Sequence, residues 1–296
     1  VKKTAIIFNP HAGNKKLTEY IDVIQQILLS AYSSVTIYRT ARTGDGAALV
    51  RKLISEVDVI IGAGGDGTIY ELINELCKHD TRPVFSIIPG GTCNDFSRAI
   101  GMSQDPLEAA KQIADGREEI IDVGQTDQQY FLNFWGIGMI TRVSENINPD
   151  TKDLLGRLSY YISTVQTINN KESFQLKVES EENSYEGEAV MMLVGNGPFT
   201  GGVRAFFPKI SLQDGMLDVF ILKEASLETF LTMLHSKVSK KAPECKDIIY
   251  FQAKSLSIDC IPEQSIDCDG EREYVTPSSV NIAPSYLTFI VGDFPE

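Results

Sequence analysis

Four times in the first hundred residues a short apolar run gives way to a glycine- or proline-bearing loop and then to a helical pattern. Thr4–Phe8 reads as a buried strand, Asn9-Pro10-His11-Ala12-Gly13 as a loop, and Leu17, Ile21, Ile24 and Leu28 as one stripe of a helix. The order recurs with Ser34–Tyr38, the loop Thr40–Gly46 and helix Ala47–Glu56. It recurs with Val57–Ile61, Gly62–Gly67 and Thr68–Lys78, and again with Val84–Ile88, Pro89–Gly91 and Asn94–Ile100. Strands joined by helices run parallel, and right-handed crossovers bring the strand-to-helix loops to one edge of a doubly wound sheet. Ligands are expected at that edge.

From about Ile120 the pattern changes to hairpin-like pairs, Ile120–Gln125 with Tyr130–Phe134 and Phe174–Glu179 with Gly187–Val194 across the polar turn Ser180–Glu186. Two helical patterns interrupt them, Leu154–Ile168 and Leu227–Lys237. The predicted fold is α/β: a doubly wound parallel-sheet domain over residues 1–122 and a mostly β domain over 123–296, with the extreme C-terminus packing back on the first. No internal repeat or flexible linker is visible, so the two are expected to share an interface.

Charge excludes several functions. With 27 Lys+Arg against 40 Asp+Glu the net charge is −13, which repels a phosphate backbone and argues against nucleic acid. The acidity is uneven, about −3 over residues 1–122 and −10 over 123–296. Five cysteines without CxxC spacing favour neither a disulfide framework nor a zinc site, and point to a reducing cytoplasm. The longest apolar run, Ala189–Val194, is six residues, against the ~20 of a spanning helix. Neither export nor insertion in a membrane is expected.

Gly62-Ala63-Gly64-Gly65-Asp66-Gly67-Thr68 follows a strand and opens a helix, a context in which glycines let backbone amides approach a phosphate. Thr68 and Glu71 have capping-box spacing, and Ile69, Leu72, Ile73 and Leu76 read as the buried helix face. Asp66 does not suit a bare phosphate site, because a carboxylate there repels the ligand unless it meets a cation, a ribose hydroxyl or a proton. Pro89-Gly90-Gly91-Thr92-Cys93-Asn94-Asp95 repeats the design one strand later; Asp95 reads equally as a helix cap. Neither loop has a Walker lysine, and the acidic partner of a dinucleotide fingerprint is missing.

Gly64-Gly65-Asp66-Gly67-Thr68 followed by Pro89-Gly-Gly-Thr92-Cys-Asn94-Asp95-Phe96 resembles the diacylglycerol kinase catalytic-domain family, which includes sphingosine kinases and is more distantly related to NAD kinases. The resemblance continues through Asn9-Pro10, Asn196-Gly197 to Gly201-Gly202, Asp214-Gly215-Met216-Leu217-Asp218 and Asp269-Gly270-Glu271. It implies phosphoryl transfer from ATP·Mg²⁺, bound between two domains, to a lipid hydroxyl, most simply diacylglycerol to phosphatidic acid. On that resemblance Asn9, Pro10, His11, Ala12, Thr40, Gly65, Asp66, Gly67, Thr68, Ile69, Tyr70, Glu71 and Thr92 line ATP. Asp66 sits near the phosphates and metal, Asp269 and Glu271 supply the general base, and Asp214 with main-chain carbonyls including that of Met216 holds a structural Mg²⁺.

Read without the resemblance, Asp269-Gly270 and Asp214-Gly215 are favoured turn dipeptides, and Trp135, Phe134 and Phe131 are core. Tyr70 stands where the family carries Asn, Ala12 where a small hydroxyl residue is common, and Gly136–Ile140 lacks an acidic residue many lipid kinases have. The alternatives are a nucleotide-binding regulatory paralogue without transfer activity, or a kinase for another lipid or NAD. The expected setting is cytoplasmic and peripherally membrane-associated, with a homodimer as a possible partner state. Lys237, Lys240, Lys241 and Lys246 offer a basic docking patch or, equally, a solvated helix end.

Overall fold

The computed structural model describes residues 2–13, 16–141, 173–205, 207–226, 229, 232 and 245–293. The expected helix Leu154–Ile168, most of Leu227–Lys237, and Lys237, Lys240 and Lys241 lie outside them; Lys246 is described and exposed. The chain divides into two compact units, one of Val1–Val123, Tyr130–Leu132 and Pro284–Glu296, the other of Gly124–Gln129 and Asn133–Ala283.

In the first unit the strands are β1 (Lys3–Phe8), β2 (Ser34–Arg39), β3 (Val59–Gly64) and β4 (Val84–Pro89), with helices α1 (Lys16–Leu29), α2 (Asp45–Leu53), α3 (Asp66–Leu76) and α4 (Asp95–Ala99) following them in turn. The strands pair in parallel in the order β2-β1-β3-β4, so the chain reverses its direction of travel between β1 and β3. Every residue of β3 and all but the first of β1 are buried, as expected for strands covered by helices on both faces. The loops after β1 and β3 flank the switch point, where open α/β sheets bind ligands.

The predicted loop Gly62–Gly67 begins three residues too early. Gly62, Ala63 and Gly64 are strand, and their glycines serve packing. A Cβ on Gly62 would lie 2.7 Å from Ile69 Cδ1, and one on Gly64 2.7 Å from Thr68 Oγ1, because α3 lies directly on the strand. A fifth helix, α5 (Pro106–Asp115), was not anticipated, although Asp105 caps it, Pro106 opens it and left-handed Gly116 ends it. It packs on α1, with the Tyr32 hydroxyl donating to the Ile113 carbonyl at 2.9 Å.

β5 (Glu118–Thr126) leads into the region expected as one strand, Tyr130–Phe134, which divides into β6 (Tyr130–Phe131) and β7 (Phe134–Gly138). Asn74 on α3 fixes β6 in the first unit, accepting the Tyr130 N–H at 2.8 Å and donating to its carbonyl at 3.0 Å.

The second unit is antiparallel. β8 (Phe174–Glu179) pairs with β9 (Ser184–Ala189) across a turn, and the burial of Phe174, Leu176 and Val178 alternates with exposed neighbours. The strand predicted over Gly187–Val194 is interrupted at Val190. Up to Ala189 it pairs with β8, whereas β10 (Met191–Gly195) lies in another sheet, between β7 and β13 (Leu217–Leu222). Val190 makes the corner, its N–H bonding the Leu222 carbonyl at 2.9 Å while its own carbonyl accepts from Met139 at 3.0 Å. β14 (Ile248–Ala253) and β16 (Ile266–Cys268) complete a sheet ordered β14-β13-β10-β7-β16. β15 (Ser255–Ile261) pairs with β8 and with residues 278–281 of β17 (Ser278–Ile290). β11 (Phe199–Thr200) and β12 (Val203–Arg204) form a small ribbon. The far end of β17 belongs to the first unit, where Phe289 pairs in parallel with Phe85 of β4. No described helix is long and apolar enough to cross a membrane.

Candidate active site

Three loops interlock at the C-terminal edge of the first unit's sheet. A Cβ on Gly13 would sit 1.8 Å from the Gly90 carbonyl oxygen, and one on Gly91 2.7 Å from Gly65 Cα, so the backbones are in contact without intervening side chains. Gly90 N–H donates to the Gly64 carbonyl at 2.8 Å and Asn9 N–H to the Ala63 carbonyl at 2.9 Å. Asn9 Nδ2 donates to Thr68 Oγ1 at 3.0 Å, and its Oδ1 accepts the His11 N–H at 3.0 Å. The Asn-Pro loop is thereby fixed over the first turn of α3.

Asp66, the first residue of α3, joins the second and third loops. Its Oδ2 accepts the Asn94 N–H at 2.8 Å and its Oδ1 the Asp95 N–H at 2.7 Å. Burial pushes its carboxyl above the usual range, against the pull of those amides and of the Arg98 charge. The carboxylate that seemed misplaced among phosphate-binding amides therefore has partners not foreseen in the sequence, the amides opening α4. Asp95 is the first helical residue and Asn94, in a left-handed conformation, occupies the cap. Asn94 Oδ1 in turn accepts the Gly91 N–H at 2.8 Å.

Asn9, Pro10, His11, Ala12, Gly65, Asp66, Gly67, Thr68 and Thr92 all lie on these loops or the first turn of α3, with His11, Gly67 and Thr92 exposed. Thr40 follows β2 at the same edge, and its N–H donates to the Phe8 carbonyl at 2.9 Å. Tyr70 is half-buried one turn further along α3. Ile69 and Glu71 stand apart. The Ile69 side chain is core and its N–H bonds the Gly65 carbonyl at 3.1 Å. Glu71 Oε1 accepts the Ala47 N–H at 2.8 Å, holding the start of α2 instead of closing a capping box with Thr68, because the cap of α3 is Gly65. These two side chains face the protein.

In the second unit Asp269 and Gly270 are the two central residues of a tight turn, with φ of +51° and +95°. Cys268 and Glu271 exchange both backbone hydrogen bonds across it, each 2.9 Å. Asp269 Oδ1 accepts the Asn133 and Phe134 N–H groups at 3.0 and 2.8 Å. The Asn133 carbonyl accepts from both Asn196 and Gly197 at 2.8 Å, so the late Asp-Gly-Glu and the central Asn-Gly segments converge on one residue. Asn133 Oδ1 is buried without a protein hydrogen-bond partner. Glu271 is half-buried, and burial with the charges of Glu273 and Asp267 raises its carboxyl above the usual range.

Asp214 is exposed, and its Oδ1 accepts the Met216 N–H at 3.0 Å around left-handed Gly215. Asp218, the second carboxylate of that segment, is buried on β13, bonded by the Tyr250 hydroxyl and by Gln252 Nε2 at 3.3 Å. Burial, with Asp214 adding to it, pushes Asp218 up to about 6. The exposed Asp214 carboxylate is a hard oxygen donor of the kind Mg²⁺ takes, and the like charge of Asp218 acts on it, while both Asp218 oxygens are held by Tyr250 and Gln252. Among the described residues no group of three or more His, Cys, Asp or Glu side chains gathers around a common point. Asp218 and Asn133 were not singled out as site residues. The signal for Asp218 was an acidic residue within the otherwise apolar run Leu217–Leu222.

A parallel α/β unit with phosphate-type loops, followed by an antiparallel unit carrying an Asp-Gly-Glu turn, is the arrangement of a lipid-kinase-like phosphotransferase. The chain belongs to the diacylglycerol kinase catalytic-domain family: residues 3–126 match the diacylglycerol kinase catalytic domain, and 136–291 the YegS C-terminal NAD kinase beta sandwich-like domain. It is 31% identical over 291 residues to a Staphylococcus aureus (strain JH9) protein named "Putative lipid kinase", covering 96% of this chain and 95% of that one. Among solved structures it is similar to a diacylglycerol kinase from Bacillus anthracis str. Sterne, with 34% identity, a TM-score of 0.81 and coverage of 98% of this chain and 97% of that one. A second B. anthracis structure, described as a "putative diacylglycerol kinase", gives 37% identity, a TM-score of 0.86 and the same coverage.

Proposed function

We propose that this chain transfers the γ-phosphoryl group of ATP to a lipid hydroxyl, with diacylglycerol as acceptor and phosphatidic acid as product. The observation that carries the reading is that one chain holds both the Asp66-braced triple loop, in its first unit, and, in its second, a turn that presents a half-buried, raised carboxylate at Glu271. Phosphoryl transfer is governed by positioning and charge neutralisation, and a backbone cradle with few ionisable side chains suits that requirement.

Asn9, Pro10, His11, Ala12, Thr40, Gly65, Gly67, Thr68 and Thr92 would line the nucleotide, with Asp66 holding the second and third loops together beneath it. Asp269, with one carboxylate oxygen on the Asn133 and Phe134 amides, orients the acceptor side, and Glu271 accepts the proton. As the acceptor oxygen bonds to the γ-phosphorus, its proton passes to the Glu271 carboxylate, the bridging P–O bond breaks and ADP leaves. Burial raises the affinity of Glu271 for that proton, which suits a base working near neutral pH. Asp214 and carbonyl oxygens including that of Met216 would hold a structural Mg²⁺. Bound there, it would neutralise the charge that Asp214 and Asp218 share.

The acceptor lies in a bilayer, so the reading includes peripheral attachment to a membrane surface, a cytoplasmic setting and a possible homodimer. The test is ADP release from ATP·Mg²⁺ with diacylglycerol, monoacylglycerol, phosphatidylglycerol, sphingosine, ceramide and NAD as acceptors. Turnover with diacylglycerol alone supports the reading in full, and turnover with another member replaces the acceptor. ATP binding without turnover on any of them favours the regulatory alternative suggested by Tyr70.

A further inference from the structure

Asp267 is fully buried in β16, two residues before the turn. Its Oδ1 accepts the Gly270 N–H at 2.9 Å, and its Oδ2 lies 3.3 Å from Arg272 Nε. One carboxylate thus grips the turn at its second central residue and again just after Glu271. An Asp-Gly pair with both residues left-handed already makes a two-residue hairpin turn without help from a buried charge. Burying a carboxylate costs several kcal/mol before pairing, and a well-packed apolar residue of similar volume is commonly as stable. Turn formation alone therefore does not account for an ionic pair at this place.

We propose that Asp267 and Arg272 are positioning residues for Glu271, a buried ion pair that fixes the direction in which Glu271 leaves the turn and sets the local field in which it takes up a proton. The assignment rests on the reading of Glu271 as the base. The charged residues flanking Glu271 along the turn are Asp267, Asp269, Arg272 and Glu273, of which Asp267 and Glu273 act on its carboxyl; β7, the strand paired with β16, sets Trp135, Gly136 and Ile137, none of them ionisable, opposite Cys268, Asp267 and Ile266. Asp267 and Glu273 favour the protonated form of Glu271. A cation in the next residue, Arg272, favours the ionised form by Coulomb attraction, and its side chain is mostly buried against Asp267. The two members of the pair therefore act on Glu271 with opposite sign.

That opposition supplies a readout that a purely structural ion pair would not give. The Glu271 carboxyl is followed by ¹³C NMR in the full chain labelled at glutamate and assigned by its loss in Glu271→Gln. Asp267→Asn keeps an acceptor for Gly270 but removes the charge, and should lower the Glu271 midpoint. Arg272→Gln leaves Asp267 unopposed and should raise it, each by about half a pH unit or more. Asp267→Asn should also cut kcat on the best acceptor by about tenfold with KM for ATP unchanged, and Arg272→Lys should recover most of what Arg272→Gln loses. Midpoints that stay put in both variants, or move the same way, overturn the proposal. If Asp267→Asn fails to fold, the Arg272 pair of variants decides it. Should Glu271→Gln retain turnover, the base reading falls on its own, whereas an inactive Glu271→Gln with unmoved midpoints removes only the positioning role.

Discussion

Asp269 Oδ1 accepts the Phe134 backbone N–H at 2.8 Å, which ties the Asp-Gly-Glu turn to the start of β7 through a side chain rather than through the sheet ladder. Asp269 and Glu271, which the sequence offered as interchangeable sources of a base, are thereby separated. Removing Asp269 leaves two amides without their acceptor, whereas Glu271→Gln removes a charge from a side chain that accepts no hydrogen bond among the described residues. Asp269→Ala should lower both turnover and stability, the latter by about 1–3 kcal/mol. Glu271→Gln should lower kcat by roughly 10²–10⁴-fold with melting unharmed. Paired kinetics and thermal melts check the contrast; equal loss of stability in both variants would erase it.

The raised carboxyl of Glu271 also fixes a pH dependence. A base works ionised, so kcat should climb through an acid limb lying above the ordinary carboxylate range. The linkage to stability has the opposite sign. A folded-state pKa above the unfolded one gives stability that is complete below the unfolded value and is lost as pH rises through the folded value. Glu271→Gln should therefore melt slightly higher than wild type at neutral pH and no higher under acid conditions, a crossing visible in melts at several pH values.

In the first unit the corresponding contrast is between Asp66 and Thr92. Asp66 carries two amides on its carboxylate, and Thr92 is exposed on the third loop. Asp66→Ala should cost about 2–4 kcal/mol as well as ATP affinity, since the amides bonded to a part-buried carboxylate lose a charged partner. Thr92→Val should weaken ATP binding with melting unchanged. Calorimetry beside thermal unfolding distinguishes them, and an Asp66→Ala protein as stable as wild type would show the brace to be dispensable.

Strand-helix alternation was legible because each half of the first unit obeys a single period: β1 and β3 are near-continuous apolar runs, and α1 and α3 carry 3.6-residue stripes. The break at Val190 was not legible, since Ala189–Val194 is uniformly apolar and the change of sheet is made by hydrogen bonds to Leu222 and Met139, far away in sequence. The site divides in the same way. Glycine loops announce themselves by composition, but whether Asp66 faces a ligand or the Asn94 and Asp95 amides depends on a contact across 28 residues. Asp267 is hidden for a like reason, its meaning depending on the turn it braces.

Burial assigns the thiols distinct reactivities. Cys77 and Cys260 are pushed up to about 12 and Cys268 well above its ordinary value, whereas Cys93 and Cys245 are partly exposed. Thiolates do the reacting, so near pH 8 a disulfide reagent should label Cys93 and Cys245 in the native protein and the other three only on unfolding. Cys93 lies next to Thr92, and its carbonyl accepts from Arg98 Nε at 2.8 Å. ATP should therefore slow labelling at Cys93 and leave Cys245 unaffected. Mass spectrometry of labelled peptides checks both statements, and equal protection of the two by ATP would detach the third loop from nucleotide binding.

Gly13 and Gly44 both have positive φ, +63° and +92°, yet their surroundings differ. A Cβ at Gly44 meets nothing within 4 Å, so Gly44→Ala should cost only the left-handed backbone strain, about 1–2 kcal/mol. At Gly13 the same methyl would overlap the Gly90 carbonyl oxygen, itself on a loop pinned by the Gly64 carbonyl. Gly13→Ala cannot be accommodated by a side-chain rotation, because the obstacle is backbone, and the first loop must lift away from the third. The expected outcome is a loss of ATP affinity much larger than in Gly44→Ala, together with a lower melting temperature. Calorimetric titration with ATP and melts of both variants decide the matter, and indistinguishable behaviour would mean that the contact between the Asn9–Gly13 and Pro89–Asn94 loops is not needed to form the nucleotide cradle.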